Sequence, residues 1–475
     1  MTGIKNYRIF AMALLAITVA GATTSAHEQY TVLFNFGNVA GDAVNPLGVL
    51  AQGRQGNLYS TSQSGGAPFW GAVFKITPGG NEKVLYSFCS QTNCADGNTP
   101  VSGLTLRPDG HFLGTTPFNG SGIGQGSGTI FDISPTGGLT TLYSFTGGTD
   151  GASPQASPIL GPDGQFYGVA VSAGGPTGCG TIYRLSAVFT VLHSFDKVHG
   201  CSPSSALVLG TDGSFYGTTS AGGTANTGVV FRLTYRPGKA TLFSVLANFD
   251  STTGPPIGPL VEGSDGNFYG VTNGIINKTF GSVFKVTSGG VVTILHTLNG
   301  TTDGAYPGAG LTLASDGNSY GTARRGGASL AGTLFQITPA GSFSVLHNFD
   351  RSGNPPTNTI QHTNGQLYGV TSYGGTGSAC SGTVGCGVVY SWDGGLPAFV
   401  STVPDRGTVG SFVEILGQGF TSSTTVSFNG TPATATVVLG TYIKAFVPSG
   451  ATTGFVTVTT SSGTLTSNKK FIVSP

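Results

Sequence analysis

Short apolar runs separated by glycine-rich breaks fill most of this chain, and one pattern recurs seven times between Leu47 and Gly387. Its consensus is a short apolar run, Asp-Gly, a large apolar residue, Tyr-Gly and then Gly-Gly. The cores read GNLYS from Gly56, GHFLG from Gly110, GQFYG from Gly164, GSFYG from Gly213, GNFYG from Gly266, GNSYG from Gly317 and GQLYG from Gly365. The tyrosine slot falls at Tyr59, Leu113, Tyr167, Tyr216, Tyr269, Tyr320 and Tyr368, so the spacings by subtraction are 54, 54, 49, 53, 51 and 48. A period near fifty is the size of a four-stranded propeller blade.

The fourth repeat serves as the model. Ala206 to Leu209 is an apolar run ended by Thr211-Asp212-Gly213, and Asp-Gly between apolar runs is a strong hairpin signal. Ser214 to Thr218 is the second strand, Gly222-Gly223 opens a longer loop, Gly228 to Leu233 is the third strand, and Thr241 to Phe249 carries the fourth. No window keeps a helical period, so the fold class is all-β. The seventh repeat ends in GVVYSW from Gly387 without a fourth strand, while an orphan fourth-strand motif, TVLFNF, stands at Thr31 to Phe36. Pairing the orphan with the last repeat removes the exposed edges of an open array. The expectation is a seven-bladed β-propeller over residues 27–395, closed by this N-terminal strand.

From about Pro397 the repeat stops. An alternating strand at Phe412 to Leu416, then Gly417-Gln418-Gly419-Phe420, Val447-Pro448 and the strand Phe455 to Val458 predict a small sandwich over residues 396–475. This segment resembles the immunoglobulin-like IPT/TIG domains, in its G-x-x-V-x-I-x-G-x-x-F analogue and its V-P-x-G-A. The resemblance implies an interaction or spacer module. The repeats resemble the GloVer tandem repeat of exported bacterial proteins, built around L-x-x-D-x-x-G-N-L-Y-G-T-T, G-G, G-x-V-F-x-L and V-L-H-S-F, over roughly Thr31 to Trp392. Departures are Leu113 for Tyr, Ser319 for Phe or Leu, and the missing Gly-Gly at Asn273-Gly274. That family often carries C-terminal sorting anchors; none is evident here.

Composition narrows the function classes. Only 8 % of the 475 residues are charged and the formal net charge is +1, without a Lys/Arg run, which argues against nucleic acid or an anionic membrane as partner. Lys5 and Arg8, the apolar stretch Ile9 to Ala22 and Thr24-Ser25-Ala26 read as a signal peptide (residues 1–26) cleaved after Ala26. No other segment is long and apolar enough to span a bilayer. The expected localisation is therefore secreted: extracellular, cell surface or periplasmic. In an oxidising compartment six cysteines imply three disulfides; without a paired C-x-x-C or a nearby histidine cluster, zinc is not expected, and neither is a cofactor.

Strand alternation sorts the loops. The first-to-second and third-to-fourth turns share one face and are short. The second-to-third and fourth-to-first loops share the other and are long and variable, where function usually collects. All cysteines fall on the variable face, and their loops predict the pairs Cys89–Cys94, Cys179–Cys201 and Cys380–Cys386. Seven aspartates also fall there: Asp42, Asp96, Asp150, Asp196, Asp250, Asp303 and Asp350. Ca²⁺ gathers about 6–8 oxygens closely, whereas these lie on separate repeats, so Asx-turns account for them better.

Residues that break the repeat are the ligand candidates: Phe69, Trp70, Phe118, Tyr306, Arg324, Arg325 and Tyr373. Aromatics with an arginine pair suit stacking on sugar rings and anchoring a carboxylate or sulfate. Against each stands an aromatic tucked under its own loop. Gly317-Asn318-Ser319-Tyr320-Gly321 spells G-x-S-x-G, but a nucleophile elbow needs a strand-to-helix turn and this serine lies in a hairpin. His193, His296 and His347 take the slot of Tyr86 and Tyr143 in sister strands and read as structural. The expectation is a non-catalytic exported protein that binds a glycan or a surface protein. The alternatives are an extracellular polysaccharide lyase or glycosidase, by fold analogy alone, and a structural envelope component.

Overall fold

The computed structural model describes residues 29–120, 126–275, 278–350, 356–380 and 385–474; the expected signal peptide lies outside them. Among the described residues the protein is all-β apart from one short 3₁₀ turn at Thr92–Cys94. Seven antiparallel sheets are built from the repeats, and two more from the chain after Asp393. In the fourth repeat the strands are Val208–Leu209, Phe215–Thr219, Val229–Thr234 and Leu242–Asn248, paired in sequence order. Each boundary falls within two residues of that expected.

Two features of the register explain the consensus. The tyrosine of Asp-Gly-x-x-Tyr donates its hydroxyl to the aspartate four residues earlier: Tyr167 to Asp163 at 3.0 Å, Tyr216 to Asp212 at 3.0 Å, Tyr269 to Asp265 at 2.8 Å and Tyr320 to Asp316 at 2.8 Å. The turn is thus locked by a side chain from the strand it introduces. The glycine after the tyrosine lies opposite the aromatic of G-x-V-F-x-L, as Gly217 does Phe231. A Cβ at Gly217 would stand 2.5 Å from that ring, closer than packed atoms approach, so glycine makes room for the ring there, while the first repeat carries Ser60 at the same register, opposite Phe74.

The orphan strand does close the array. Gln29–Asn35 pairs antiparallel with Val388–Asp393, Tyr30 opposite Trp392 and Asn35 opposite Val388. Apolar clusters then fill every seam between neighbouring sheets. Tyr59 and Val73 pack with Phe112 and Phe131 between the first and second; Tyr216 and Val230 pack with Phe268 and Phe284 between the fourth and fifth. The last seam joins Tyr368, Val389 and Phe36 to Leu58 and Phe74 of the first repeat. The result is a propeller-like ring.

After the ring, the strands Ser401–Val403, Phe412–Leu416, Ala435–Leu439 and Tyr442–Phe446 form one sheet, and Arg406–Gly407, Thr425–Phe428, Thr431–Ala433, Gly454–Thr460 and Gly463–Val473 the other. Val413, Ile415, Ile443, Phe428, Val456 and Phe471 make one core between them. This unit folds back on the tight-turn face of the ring. Arg54 pairs with the buried Glu414, its Nε at 3.1 Å from Oε2. The Thr441 hydroxyl donates to the Arg54 carbonyl at 2.7 Å, Gln418 to the Thr363 hydroxyl at 2.9 Å, and Arg406 to the Gly210 carbonyl at 3.1 Å.

Candidate binding site

The variable face is built on a repeated anchor. Six of the fourth-to-first aspartates accept backbone N–H groups from their own loops: Asp42 from Asn38, Asp96 from Ser90, Asp150 from Thr146, Asp196 from His199, Asp250 from Thr252 and Asp303 from Asn299, at 2.6–3.0 Å. In three repeats the aspartate also receives the ring residue of the preceding outer strand: Tyr86 to Asp96 at 2.8 Å, Tyr143 to Asp150 at 2.9 Å and His296 with Asp303 at 2.8 Å. These carboxylates are engaged as loop anchors, but only Asp250 accepts from the residue two ahead as an Asx-turn requires. Asp42, Asp96, Asp150 and Asp303 accept from residues four to six earlier, so they close their loops and do not open them.

The ring slot has a second task. Four of the rings lie on an aromatic at the start of the next sheet's outer strand: Tyr143 on Phe189, His193 on Phe243, His296 on Phe343 and His347 on Tyr30, with centroids 3.7–4.1 Å apart. The histidines are structural. His193 carries no hydrogen bond at Nε2, and burial, the main cause, holds its pKa down at about 4. Ser319 is buried in a strand opposite Leu313 and Ile337, so its G-x-S-x-G context is a hairpin.

Disulfides staple the same face in the expected pairs, Cys89–Cys94, Cys179–Cys201 and Cys380–Cys386. Phe69 is 55 % exposed, although a large apolar ring gains by burial, and its φ is +66°. Leu330 occupies the equivalent place after the sixth Gly-Gly, exposed and at φ +58°. A non-glycine residue in the left-handed region carries strain that the surrounding loop must impose. Trp70 and Phe118 are half-buried; the Trp70 carbonyl accepts from Thr99 N at 2.7 Å, and Phe118 bridges to Asn98. Arg325 lies over the Tyr306 ring at 5.8 Å. Arg324 and Tyr373 are exposed. Of the seven candidates only Tyr306 and Arg325 are shown in side-chain contact; Arg324 precedes Arg325 on its strand, Phe69 and Trp70 share one loop, and Phe118 and Tyr373 lie in two others.

A hollow lies on the opposite, tight-turn face. A cavity of about 1050 Å³ lies between the innermost strands of the ring and the C-terminal unit that covers them. None of the seven candidates lines it.

The sequence model of the Gloeobacter/Verrucomicrobia repeat matches residues 18–170 and 154–385, more than half of the chain. The chain belongs to that family. No curated protein matches it. Among solved structures, a putative gluconolactonase shares 11 % identity over 78 % of this chain and 94 % of its own, with a TM-score of 0.39. A luciferin-regenerating enzyme shares 12 % over 78 % and 97 %, with a TM-score of 0.40. A Lactobacillus plantarum protein shares 17 % over 65 % and 86 %, with a TM-score of 0.45. No activity is carried over from them.

In this Gloeobacter/Verrucomicrobia repeat chain, two things escaped the residue pattern. Leu330 was legible in principle, because it follows Gly-Gly at the same offset as Phe69. The capped cavity was not. Its walls are the ordinary first-strand apolar runs, and its roof depends on where the C-terminal unit docks.

Proposed function

We propose that this Gloeobacter/Verrucomicrobia repeat protein is an exported, non-catalytic binding protein. It comprises a signal peptide, a seven-bladed β-propeller (residues 27–395) and an immunoglobulin-like IPT/TIG domain (residues 396–475). The variable face holds an extracellular glycan or a surface protein through Phe69, Trp70, Phe118, Tyr306, Arg324, Arg325 and Tyr373. One observation carries this reading: Phe69 is displayed to solvent on a strained backbone, on a face where disulfides and aspartate anchors fix the loops. A protein holds a large apolar ring outward at such cost where the ring is used, and a rigid loop loses little entropy on binding. Arg325 over Tyr306 adds a cation beside a flat ring, suited to a sulfated or uronic sugar.

The test is a glycan array on the secreted protein beside a reducing-sugar release assay. Binding without release supports the reading, and release overturns it in favour of a polysaccharide-acting enzyme. Phe69→Ala should weaken binding to a retained glycan about tenfold, as expected for an aromatic anchor of about 1.4 kcal/mol.

A further inference from the structure

The capped channel has an uneven chemistry. Its wall is made by innermost-strand side chains, among them Leu106, Ile159, Leu160, Val208, Leu209 and Ile360, all only partly buried. Phe399, Pro404, Phe455 and Ile472 of the C-terminal unit add an apolar roof. The volume, about 1050 Å³, is at the top of the range of about 300–1,000 Å³ for sites that enclose small molecules. Apolar surface on both wall and roof gains when an apolar body displaces water from between them.

The charged groups at the cavity are Glu262, Asp265, Asp405, Arg406, Lys469 and Lys470. The carboxylates are already engaged. Glu262 accepts from the Thr211 N–H at 3.0 Å and its hydroxyl at 2.7 Å. Asp265 accepts from the Asn267 amide at 2.7 Å and the Tyr269 hydroxyl at 2.8 Å. Asp405 takes Arg406 Nε at 3.1 Å, and Arg406 also donates to the Gly210 carbonyl. Lys469 and Lys470 are exposed, and neither ammonium has a hydrogen-bond or ion-pair partner among the described residues. The unmatched charge at the roof is therefore positive.

We propose that this cavity is a second binding site, for an amphipathic molecule with an elongated apolar body and one anionic end. The body lies along the channel, and the anion meets Lys469 and Lys470 at the roof. The site is on the face opposite the seven aromatic and arginine candidates, and stands or falls independently of them.

Dodecanoate and dodecanol, titrated calorimetrically into the full-length secreted protein, test this. Saturable one-to-one binding of dodecanoate is expected, with dodecanol about tenfold weaker for want of the charge-assisted contact. Leu160→Trp, which fills the channel, should weaken both ligands at least tenfold. Lys469→Gln with Lys470→Gln, at exposed positions that leave the fold intact, should weaken dodecanoate alone and remove the difference between the two. No saturable binding by the unaltered protein overturns the site. So does dodecanoate affinity unchanged in the lysine double variant, which remains decisive should Leu160→Trp fail to fold.

Discussion

At residue scale the ring slot shows how one position serves different side chains. Tyr86 and Tyr143 reach an aspartate, whereas His193 has no such partner, because Asp196 is held by His199 at 2.9 Å. Burial holds the His193 pKa at about 4, below an unfolded value near 6.5. The native state therefore resists a proton that the unfolded chain accepts, and stability present above pH ~6.5 is lost as pH falls toward ~4. His193→Phe keeps the stack on Phe243 and should raise stability at pH 5 by up to about 2 kcal/mol, with little change at pH 7.5; urea unfolding at the two pH values checks this. Glu82 presents the opposite case. It stands four residues before Tyr86, at the place held by Phe189, Phe243, Phe343 and Tyr30 elsewhere. Its Oε1 is buried without a partner, and desolvation, with Asp42 adding to it, pushes the carboxyl up to about 8. The native state binds this proton more tightly than the unfolded chain, so stability falls as pH rises from ~4.5 through ~8. Glu82→Leu should therefore stabilise at pH 9 by about 2 kcal/mol and have little effect at pH 4.5, read from melting curves across that range.

At element scale the Cys179–Cys201 bridge ties two loops of the variable face around one pair of strands, 22 residues apart. On the chain-entropy account a ring of this size contributes about 3 kcal/mol. Replacing both cysteines by serine should lower unfolding free energy by that amount, while either of the two shorter bridges should matter less; equilibrium denaturation of the three double variants ranks them. The pairs were legible because strand alternation assigns each loop to a face, and a disulfide joins only neighbours on one face. The hairpins were legible because Asp-Gly and the tyrosine are one hydrogen-bonded unit, as in Asp212 and Tyr216. That account also explains a departure. Leu113 cannot donate, and Asp109 is taken instead by Arg107 at 2.9 Å. The strain at Phe69 and Leu330 was not legible, since a φ of +66° at a phenylalanine is imposed by its loop and not by its own preference. Nor was the convergence of Tyr306 and Arg325, which are 19 residues apart by subtraction and meet only because their strands pair, Ala305 opposite Arg325.

At the scale of the whole molecule the question is what keeps the C-terminal unit over the channel. The sequence leads to the expectation of an interaction or spacer module here; the unit turns back onto the tight turns of its own ring. Its central contact is asymmetric. The Glu414 side chain is 0 % exposed and receives Arg54 together with the Tyr442 hydroxyl at 3.1 Å, while the Arg54 side chain is 26 % exposed and also donates to the Pro108 carbonyl at 2.8 Å. Burial raises the Glu414 pKa, and Arg54 opposes that rise. Removing the arginine leaves a buried carboxylate without its cation, which costs about 3–5 kcal/mol in such sites. Neutralising the carboxylate leaves an arginine that still reaches a carbonyl and water. Arg54→Ala should therefore loosen the docked unit far more than Glu414→Gln, although both delete the same ion pair. Limited proteolysis of the connection at residues 394–399 reads this directly, because Phe399 is buried while the unit is docked and its N–H donates to the Thr363 carbonyl of the ring. Rapid cleavage in Arg54→Ala, slow cleavage in Glu414→Gln and two intact folded fragments are the expected result. Equal protection in both variants would mean that the docking rests on Arg406, Gln418 and Thr441 instead. If the capped channel holds an amphiphile, the undocked Arg54→Ala protein should also lose dodecanoate binding, since half of the site leaves with the roof.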